Sequence, residues 1–122
     1  MKVLHVDDSK AMRMIVQRTI KKAGFSDLQF VEAENGVEAL KVIEAEKPDL
    51  VFSDWNMPEM NGIELLRKLR EDGNEITLGF ITSESNPETK VEATEAGAAF
   101  VITKPFTPES FQIALEPVLS KV

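Results

Sequence analysis

Apolar runs and helical patterns alternate about five times along the chain. Short apolar runs bounded by turn residues predict buried strands at 2–7, 28–33, 50–53, 76–82 and 99–103. Apolar residues at helical spacing follow four of these runs, and turn signals mark a helix after the other one. This alternation favours βαβ units, in which helices cover both faces of a parallel sheet. The sequence therefore predicts one α/β domain over residues 1–122, a doubly wound three-layer α/β/α sandwich.

Proline, asparagine and glycine mark the predicted helix ends. Lys47-Pro48 should break the second helix, because a residue before proline avoids α geometry. Asn86-Pro87 and Thr107-Pro108 are typical helix starts, whereas Pro117 should kink the last helix or end its regularity. The positions expected to face the core are Met12, Ile15, Val16, Thr19, Ile20 and Ala23, then Val37, Leu40 and Ile43, then Ile63, Leu66 and Leu69, and finally Phe111, Ala114, Leu115, Val118 and Leu119.

Composition narrows the class of protein. The chain has no cysteine, which excludes disulfides and thiolate metal sites. Its net charge of −7 disfavours direct binding of DNA or RNA, since phosphate backbones repel an acidic surface. No apolar run approaches the roughly 18 residues of a membrane span, and the acidic start does not match a secretory signal. We expect a cytoplasmic protein that is not inserted in a membrane.

Polar residues lie at the carboxyl ends of four of the five predicted strands. Asp7-Asp8 ends the first strand, Asp54 the third, Thr82 the fourth and Lys104 the fifth. Parallel sheets bind ligands at the carboxyl ends of their strands, so these groups should converge on one edge. Clustered carboxylates repel one another unless a cation or proton intervenes, and oxygen-only ligands suit Mg²⁺. A lysine opposite such a cation leaves a gap that suits a phosphoryl group, and a carboxylate can be its nucleophilic acceptor.

The same residues resemble the response-regulator receiver family over essentially the whole chain. The marks are Val6-Asp7-Asp8, the stretch Asp54-Trp55-Asn56-Met57-Pro58, the triplet Met60-Asn61-Gly62, then Thr82, and Lys104-Pro105-Phe106. The Asp-Trp-Asn-Met-Pro stretch looks most like the chemotaxis regulators of that family. The resemblance implies a flavodoxin-like sheet with strand order 2-1-3-4-5.

The resemblance also implies residue roles. Asp54 would accept a phosphoryl group from the phosphohistidine of a sensor kinase. Asp8 would bind Mg²⁺ with help from Asp7, Asp54 and the backbone carbonyl of Asn56. Thr82 and Lys104 would contact the phosphoryl group, and Asn56 and Glu84 lie where this family tunes phosphate lifetime. The chain would catalyse its own phosphorylation and dephosphorylation without turning over a separate substrate, so it is not expected to be an enzyme in the ordinary sense.

One position departs from the family pattern. Three residues before the lysine, receivers commonly place Tyr or Phe, which moves inward when the threonine moves. Here that position is Val101, and the aromatic residue is Phe100. Adjacent strand residues face opposite sides, so Phe100 should not substitute for it. We expect phosphorylation chemistry to be kept despite this change. The family's usual output switch, in which an aromatic ring moves inward, has no ring at position 101.

Several readings remain open at this stage. An aspartate-nucleophile phosphatase would need a second Asp where Asn56 stands, and a flavin carrier would need a phosphate-binding loop where Asp8-Ser9-Lys10-Ala11 stands.

His5 is expected to be a core histidine, not a phosphorelay site, and Met14 is expected to be a packing residue.

The expected partners follow from the receiver reading. They are a sensor histidine kinase and, for a chemotaxis member, a flagellar motor switch protein and a phosphatase. The chain is expected to be a free-standing monomer; the alternatives are a phosphorelay intermediate or a receiver excised from a larger transcription regulator.

Overall fold

Strands and helices alternate strictly in the computed structural model, which describes residues 1–84 and 86–119. The elements of that described part are β1 (Lys2–Val6), α1 (Lys10–Lys22), β2 (Gln29–Ala33), α2 (Gly36–Glu46), β3 (Leu50–Ser53), α3 (Gly62–Glu71), β4 (Thr77–Thr82), α4 (Pro87–Glu95), β5 (Val101–Thr103) and α5 (Pro108–Leu119). None of the described helices is long and apolar enough to cross a membrane.

All five strands are parallel and lie in the order β2-β1-β3-β4-β5. This confirms the predicted α/β sandwich and its strand order. Val6 lies opposite Ser53 in the register of β1 and β3. The amide of Asp54 donates to the carbonyl of Val6 at 2.9 Å, and that of Asp7 to Ala33 at 3.1 Å. The first and third strands therefore end at the same level, which brings the residues after them to one edge.

Two apolar cores lie on opposite faces of the sheet. The α2/α3/α4 core combines buried residues of those helices with Leu4, Val51 and Phe80 of the sheet. The α1/α5 core combines buried residues of α1 and α5 with Phe52 and Ile81. Aromatic rings meet edge to face in both cores. The ring centroids are 4.9 Å apart for Trp55 and Phe80 and 5.2 Å apart for Phe106 and Phe111.

Asparagine caps mark the starts of α3 and α4, the helices that follow β3 and β4. Asn61 and Glu64 form a reciprocal capping box at the start of α3, and Asn86 caps α4 as predicted. Lys47 adopts a left-handed conformation with φ 48° between α2 and Pro48, which ends that helix where the sequence predicts. The last helix continues through Pro117 to Leu119.

Three predicted packing positions are wrong. Met14, Ile15 and Val37 are 53%, 49% and 38% exposed. Arg13 lies on the buried face of α1, and Ala39 lies on that of α2. The contacts of Arg13 with the Asp7 carbonyl and Glu32 turn its face of α1 inward. Positions two apart on a helix face nearly opposite sides, so Ile15 points outward. In α2, Ala39 packs into the core, which leaves Val37 on the outer side. Strand bounds also differ by one or two residues, and β5 begins at Val101 and not at residue 99.

Candidate functional site

Three carboxylates meet at the carboxyl ends of β1 and β3. Asp7, Asp8 and Asp54 each offer an oxygen, and these oxygens lie within 4.8 Å of one another. Asp7 is buried, Asp54 is partly buried and Asp8 is exposed. The cluster is therefore open to solvent on the side of Asp8. The predicted convergence of these three residues is confirmed.

Asp54 makes a different contact with each of its oxygens. Its Oδ1 accepts a hydrogen bond from the backbone amide of Trp55 at 2.7 Å. Its Oδ2 lies 3.4 Å from Nζ of Lys104, and both side chains are more than four-fifths buried. The ammonium thus lies beside the carboxylate and partly out of water, where its attraction is less screened than at an exposed pair.

The loop after β3 is held by close backbone approaches. The amide of Gly62 donates to the carbonyl of Trp55 at 2.9 Å. A Cβ on Gly62 would lie 2.3 Å from the carbonyl oxygen of Asp54, so only glycine allows α3 to begin this close to the acidic residue. Gly36 similarly meets Met60, to whose carbonyl its amide donates at 3.0 Å. The triplet Met60-Asn61-Gly62 therefore fixes the backbone that carries Asp54.

Thr82, Asn56 and Glu84 border the same edge. Thr82 is fully buried, and its hydroxyl accepts a hydrogen bond from the amide of Glu84 at 3.1 Å. The amide of Lys104 donates to the carbonyl of Thr82 at 2.8 Å, which places the lysine directly beside the end of β4. Asn56 donates through Nδ2 to Glu84 at 3.0 Å. The structure thus joins the two residues that the resemblance singled out for phosphate lifetime.

The electrostatics of the cluster favour a cation. Burial raises the pKa of Asp7, and the neighbouring charges of Asp54 and Asp8 raise it further, against the opposing effects of the Ser9 amide and Lys104. These oxygens are hard ligands, and no histidine or cysteine joins them within the described residues. The donor set fits Mg²⁺, which prefers carboxylates and retained water. The three aspartates could therefore hold such an ion.

Comparison with known proteins decides the family. The response regulator receiver domain matches residues 3–116. The chain belongs to the response-regulator receiver family. It is 43% identical to the chemotaxis protein CheY1 of Helicobacter pylori, covering 98% of this chain and 97% of that one. It is 40% identical to a CheY homologue of Campylobacter jejuni, covering 98% and 92% of the two chains.

Solved structures agree with this assignment. The chemotaxis response regulator CheY4 of Vibrio cholerae superimposes with a TM-score of 0.81 at 35% identity, covering 96% of this chain and 97% of that one. The Francisella response regulator 1452 receiver domain gives a TM-score of 0.86 at 28% identity, with 98% and 97% covered. Membership of the receiver family thus argues against both the phosphatase and the flavin-carrier readings.

The structure shows where Val101, which replaces the family's usual aromatic residue, and the preceding Phe100 pack. Val101 packs against the α2/α3/α4 core, whereas Phe100 packs against the α1/α5 core. The two residues therefore face opposite sides, as strand alternation predicts. A Cβ on Gly79 would lie 2.2 Å from the Phe100 ring, which occupies the space that a side chain there would fill. Positions 79 and 100 are far apart along the chain, so no local sequence pattern predicts this packing.

His5 is a core residue, as predicted. It is 1% exposed, contacts Gln17 at 3.4 Å through Nδ1, and meets the Phe52 ring edge to face. Burial, followed by the charges of Arg13 and Lys104, lowers the pKa of His5 to about 3. The imidazole is therefore neutral throughout the ordinary pH range.

Proposed function

We propose that this receiver accepts a phosphoryl group on Asp54 from the phosphohistidine of a sensor kinase in a reaction that requires Mg²⁺. The observation that carries this proposal is the position of Asp54, which lies between two other carboxylates and an ammonium 3.4 Å from its Oδ2. A carboxylate with a cation site on one side and a lysine on the other matches the needs of phosphoryl transfer.

Asp54 acts as the nucleophile in this proposal. One carboxylate oxygen attacks phosphorus as the phosphorus–nitrogen bond of the donor breaks, and the imidazole nitrogen keeps the electron pair. Lys104 pairs with the negative charge of the phosphoryl oxygens. The Trp55 amide and the backbone around Gly62 hold the carboxylate in place during attack. Water later attacks phosphorus, releases inorganic phosphate and restores the carboxylate, so the chain turns over no separate substrate.

The metal would be held by Asp7, Asp8 and Asp54, with the backbone carbonyl of Asn56 as a further ligand. A bound Mg²⁺ would neutralise the carboxylates and stabilise charge on the transferring oxygens. Asp8, which is the exposed member of the cluster, keeps the ligand set accessible to the ion. Thr82 lies beside Lys104, where its hydroxyl would contact a phosphoryl group. The Asn56–Glu84 hydrogen bond lies at the same edge, where it would affect the access of the hydrolytic water.

A role in chemotaxis is the output we propose. It is supported by the names of the relatives at 43% and 40% identity, which are chemotaxis proteins. The partner would be a flagellar motor switch protein that reads the surface of α4, β5 and α5. That region exposes Val91 on α4 and Ile113 on α5, at 55% and 77%. With valine at position 101, we propose that this surface changes through Thr82 and the backbone, without an aromatic ring that moves inward.

Substitution of the acceptor tests the proposal. The wild-type chain should gain the mass of one phosphate on incubation with acetyl phosphate and MgCl₂, and should gain none with EDTA. Asp54→Asn removes the nucleophilic oxygen and should abolish the gain. Asp27→Asn, a matched change of an exposed aspartate, should leave it intact. A phosphate that still appears on Asp54→Asn under the same conditions would refute the acceptor assignment.

A further inference from the structure

Arg13 is a buried cation beside the acidic cluster. Its side chain is only 9% exposed although it belongs to α1, a helix that otherwise directs its charged residues to solvent. The guanidinium donates through Nη1 to the backbone carbonyl of Asp7 at 2.5 Å. It also forms an ion pair through Nε with Glu32 of β2. Arg13 thus links the first helix, the second strand and the start of the acidic segment.

The contact with Asp7 acts on the peptide that leads to Asp8. The Asp7 carbonyl and the Asp8 amide belong to one planar peptide group, so a bond to the carbonyl fixes the orientation of both. The adjoining groups are also held, since the Asp7 amide donates to Ala33 at 3.1 Å and the Ser9 amide donates to Oδ1 of Asp7 at 2.9 Å. Arg13 supplies a side-chain contact to the carbonyl of the Asp7–Asp8 peptide itself.

Charge alone does not account for this arrangement. A guanidinium next to a cation site repels the cation, so an arginine placed there for its charge would weaken Mg²⁺ binding. Its planar fork instead allows two directed hydrogen bonds, to a carbonyl and to a carboxylate. Glu32 offsets the positive charge and holds the fork in place. The geometry is that of an outer group that orients metal ligands.

We propose that Arg13 is a positioning residue that sets the backbone of Asp7-Asp8 for Mg²⁺ binding, with Glu32 holding the guanidinium. This rests on the proposed function, since it concerns the same metal site. Arg13 contacts neither the ion nor the phosphoryl group; it acts through the Asp7 carbonyl. Replacing Arg13 separates two possible roles by the direction in which the Mg²⁺ affinity changes. If Arg13 acts only through its charge, its loss would strengthen Mg²⁺ binding; if it positions the backbone, its loss would weaken Mg²⁺ binding.

Titration with MgCl₂ followed by heteronuclear NMR of the backbone amides tests the proposal without phosphorylation. We expect Arg13→Met to weaken Mg²⁺ binding about tenfold and to shift the Asp8 amide resonance before any Mg²⁺ is added. Arg13→Lys keeps the charge but cannot form both directed hydrogen bonds of the guanidinium. The Mg²⁺ affinity of this variant should therefore be closer to that of Arg13→Met than to that of the wild type. The matched control is Arg18→Met, which removes an equal charge from the exposed face of the same helix and should not weaken binding.

The outcomes separate the hypotheses. Mg²⁺ binding by Arg13→Met that equals or exceeds that of Arg18→Met would overturn the positioning role. Should Arg13→Met fail to fold, Glu32→Gln replaces it, because the Glu32 side chain is 45% exposed and its change should preserve the fold. We expect Glu32→Gln to shift the Asp8 amide resonance and to weaken Mg²⁺ binding about twofold or more. If neither the resonance nor the Mg²⁺ affinity changed, the proposal would be rejected. A wild-type chain that itself shows no Mg²⁺-dependent shift at the three aspartates would instead refute the proposed metal site.

Discussion

Asp7 is the member of the acidic cluster that the fold buries most. Its pKa is raised by burial first and then by the charges of Asp54 and Asp8. An acid whose pKa is raised on folding reduces stability at every pH above its ordinary pKa. That cost disappears as the pH falls and the folded carboxyl takes up a proton. The repulsion among these carboxylates therefore reduces stability, and a bound metal ion would relieve it.

Asp7→Asn should therefore stabilise the metal-free protein. We expect the free energy of unfolding in EDTA at neutral pH to rise by about 1 kcal/mol, because the amide keeps an acceptor for the Ser9 amide and removes the repulsion. The gain should shrink on acidification. Urea denaturation followed by emission of Trp55, which is buried and the chain's only tryptophan, measures it.

Two comparisons make this prediction specific. Asp27→Asn, at an exposed position, should change the stability little. Millimolar MgCl₂ should stabilise the wild type more than Asp7→Asn, because only the wild type retains the full ligand set. A loss of stability in Asp7→Asn without metal would show that the carboxylate is not repelled as the structure indicates.

At the scale of elements, Gly79 of β4 packs against Phe100, the residue just before β5. The Phe100 ring lies over Gly79 and against Phe52, at 5.8 Å between the rings. A methyl group at position 79 would meet the ring at 2.2 Å. The ring is partly buried and packs against the α1/α5 core, which limits its movement.

Gly79→Ala should destabilise the fold by about 1–3 kcal/mol, the usual effect of overpacking. Combining it with Phe100→Leu should recover part of the loss, since the smaller side chain vacates the space. Urea denaturation of the wild type, both single variants and the double variant gives the coupling energy, expected at about 1 kcal/mol or more in favour of the double variant. Strictly additive effects would mean that the ring does not respond to position 79.

The sequence predicts the order and type of these elements because apolar alternation and chain breakers are local signals. It also predicts that Asp7, Asp8 and Asp54 converge, because the ends of parallel strands share one edge. Packing partners are less predictable. Gly79 lies on β4 and Phe100 just before β5, and a glycine that accommodates a distant ring looks like any other glycine in the sequence.

Arg13 shows a second limit of sequence reasoning. A cation among Met12, Val16 and Ile20 interrupts the apolar spacing, and such a residue is ordinarily assigned to the exposed side. Only the tertiary contacts with the Asp7 carbonyl and Glu32 explain its burial. The exposure of Ile15 follows from the same rotation of α1, since positions two apart on a helix face nearly opposite sides.

At the scale of the whole molecule, pH acts on a chain with 21 acidic residues and one histidine. His5 has a pKa of about 3 in the folded protein against an ordinary value of 6.5. Burial is the main cause, followed by the charges of Arg13 and Lys104. Between these two values the unfolded chain binds a proton that the folded chain does not, so His5 destabilises the fold as the pH falls below 6.5.

His5→Gln should therefore lose less stability on acidification than the wild type. Lowering the pH from about 7.5 to about 5 should reduce the free energy of unfolding of the wild type by about 2 kcal/mol more than that of the variant. Urea denaturation of both proteins at the two pH values measures this difference. Any constant effect of the substitution cancels, and so does the titration of the acids, which both proteins share. Equal losses in the two proteins would mean that folded His5 accepts a proton near its ordinary pKa, which a closed α1/α5 core does not permit.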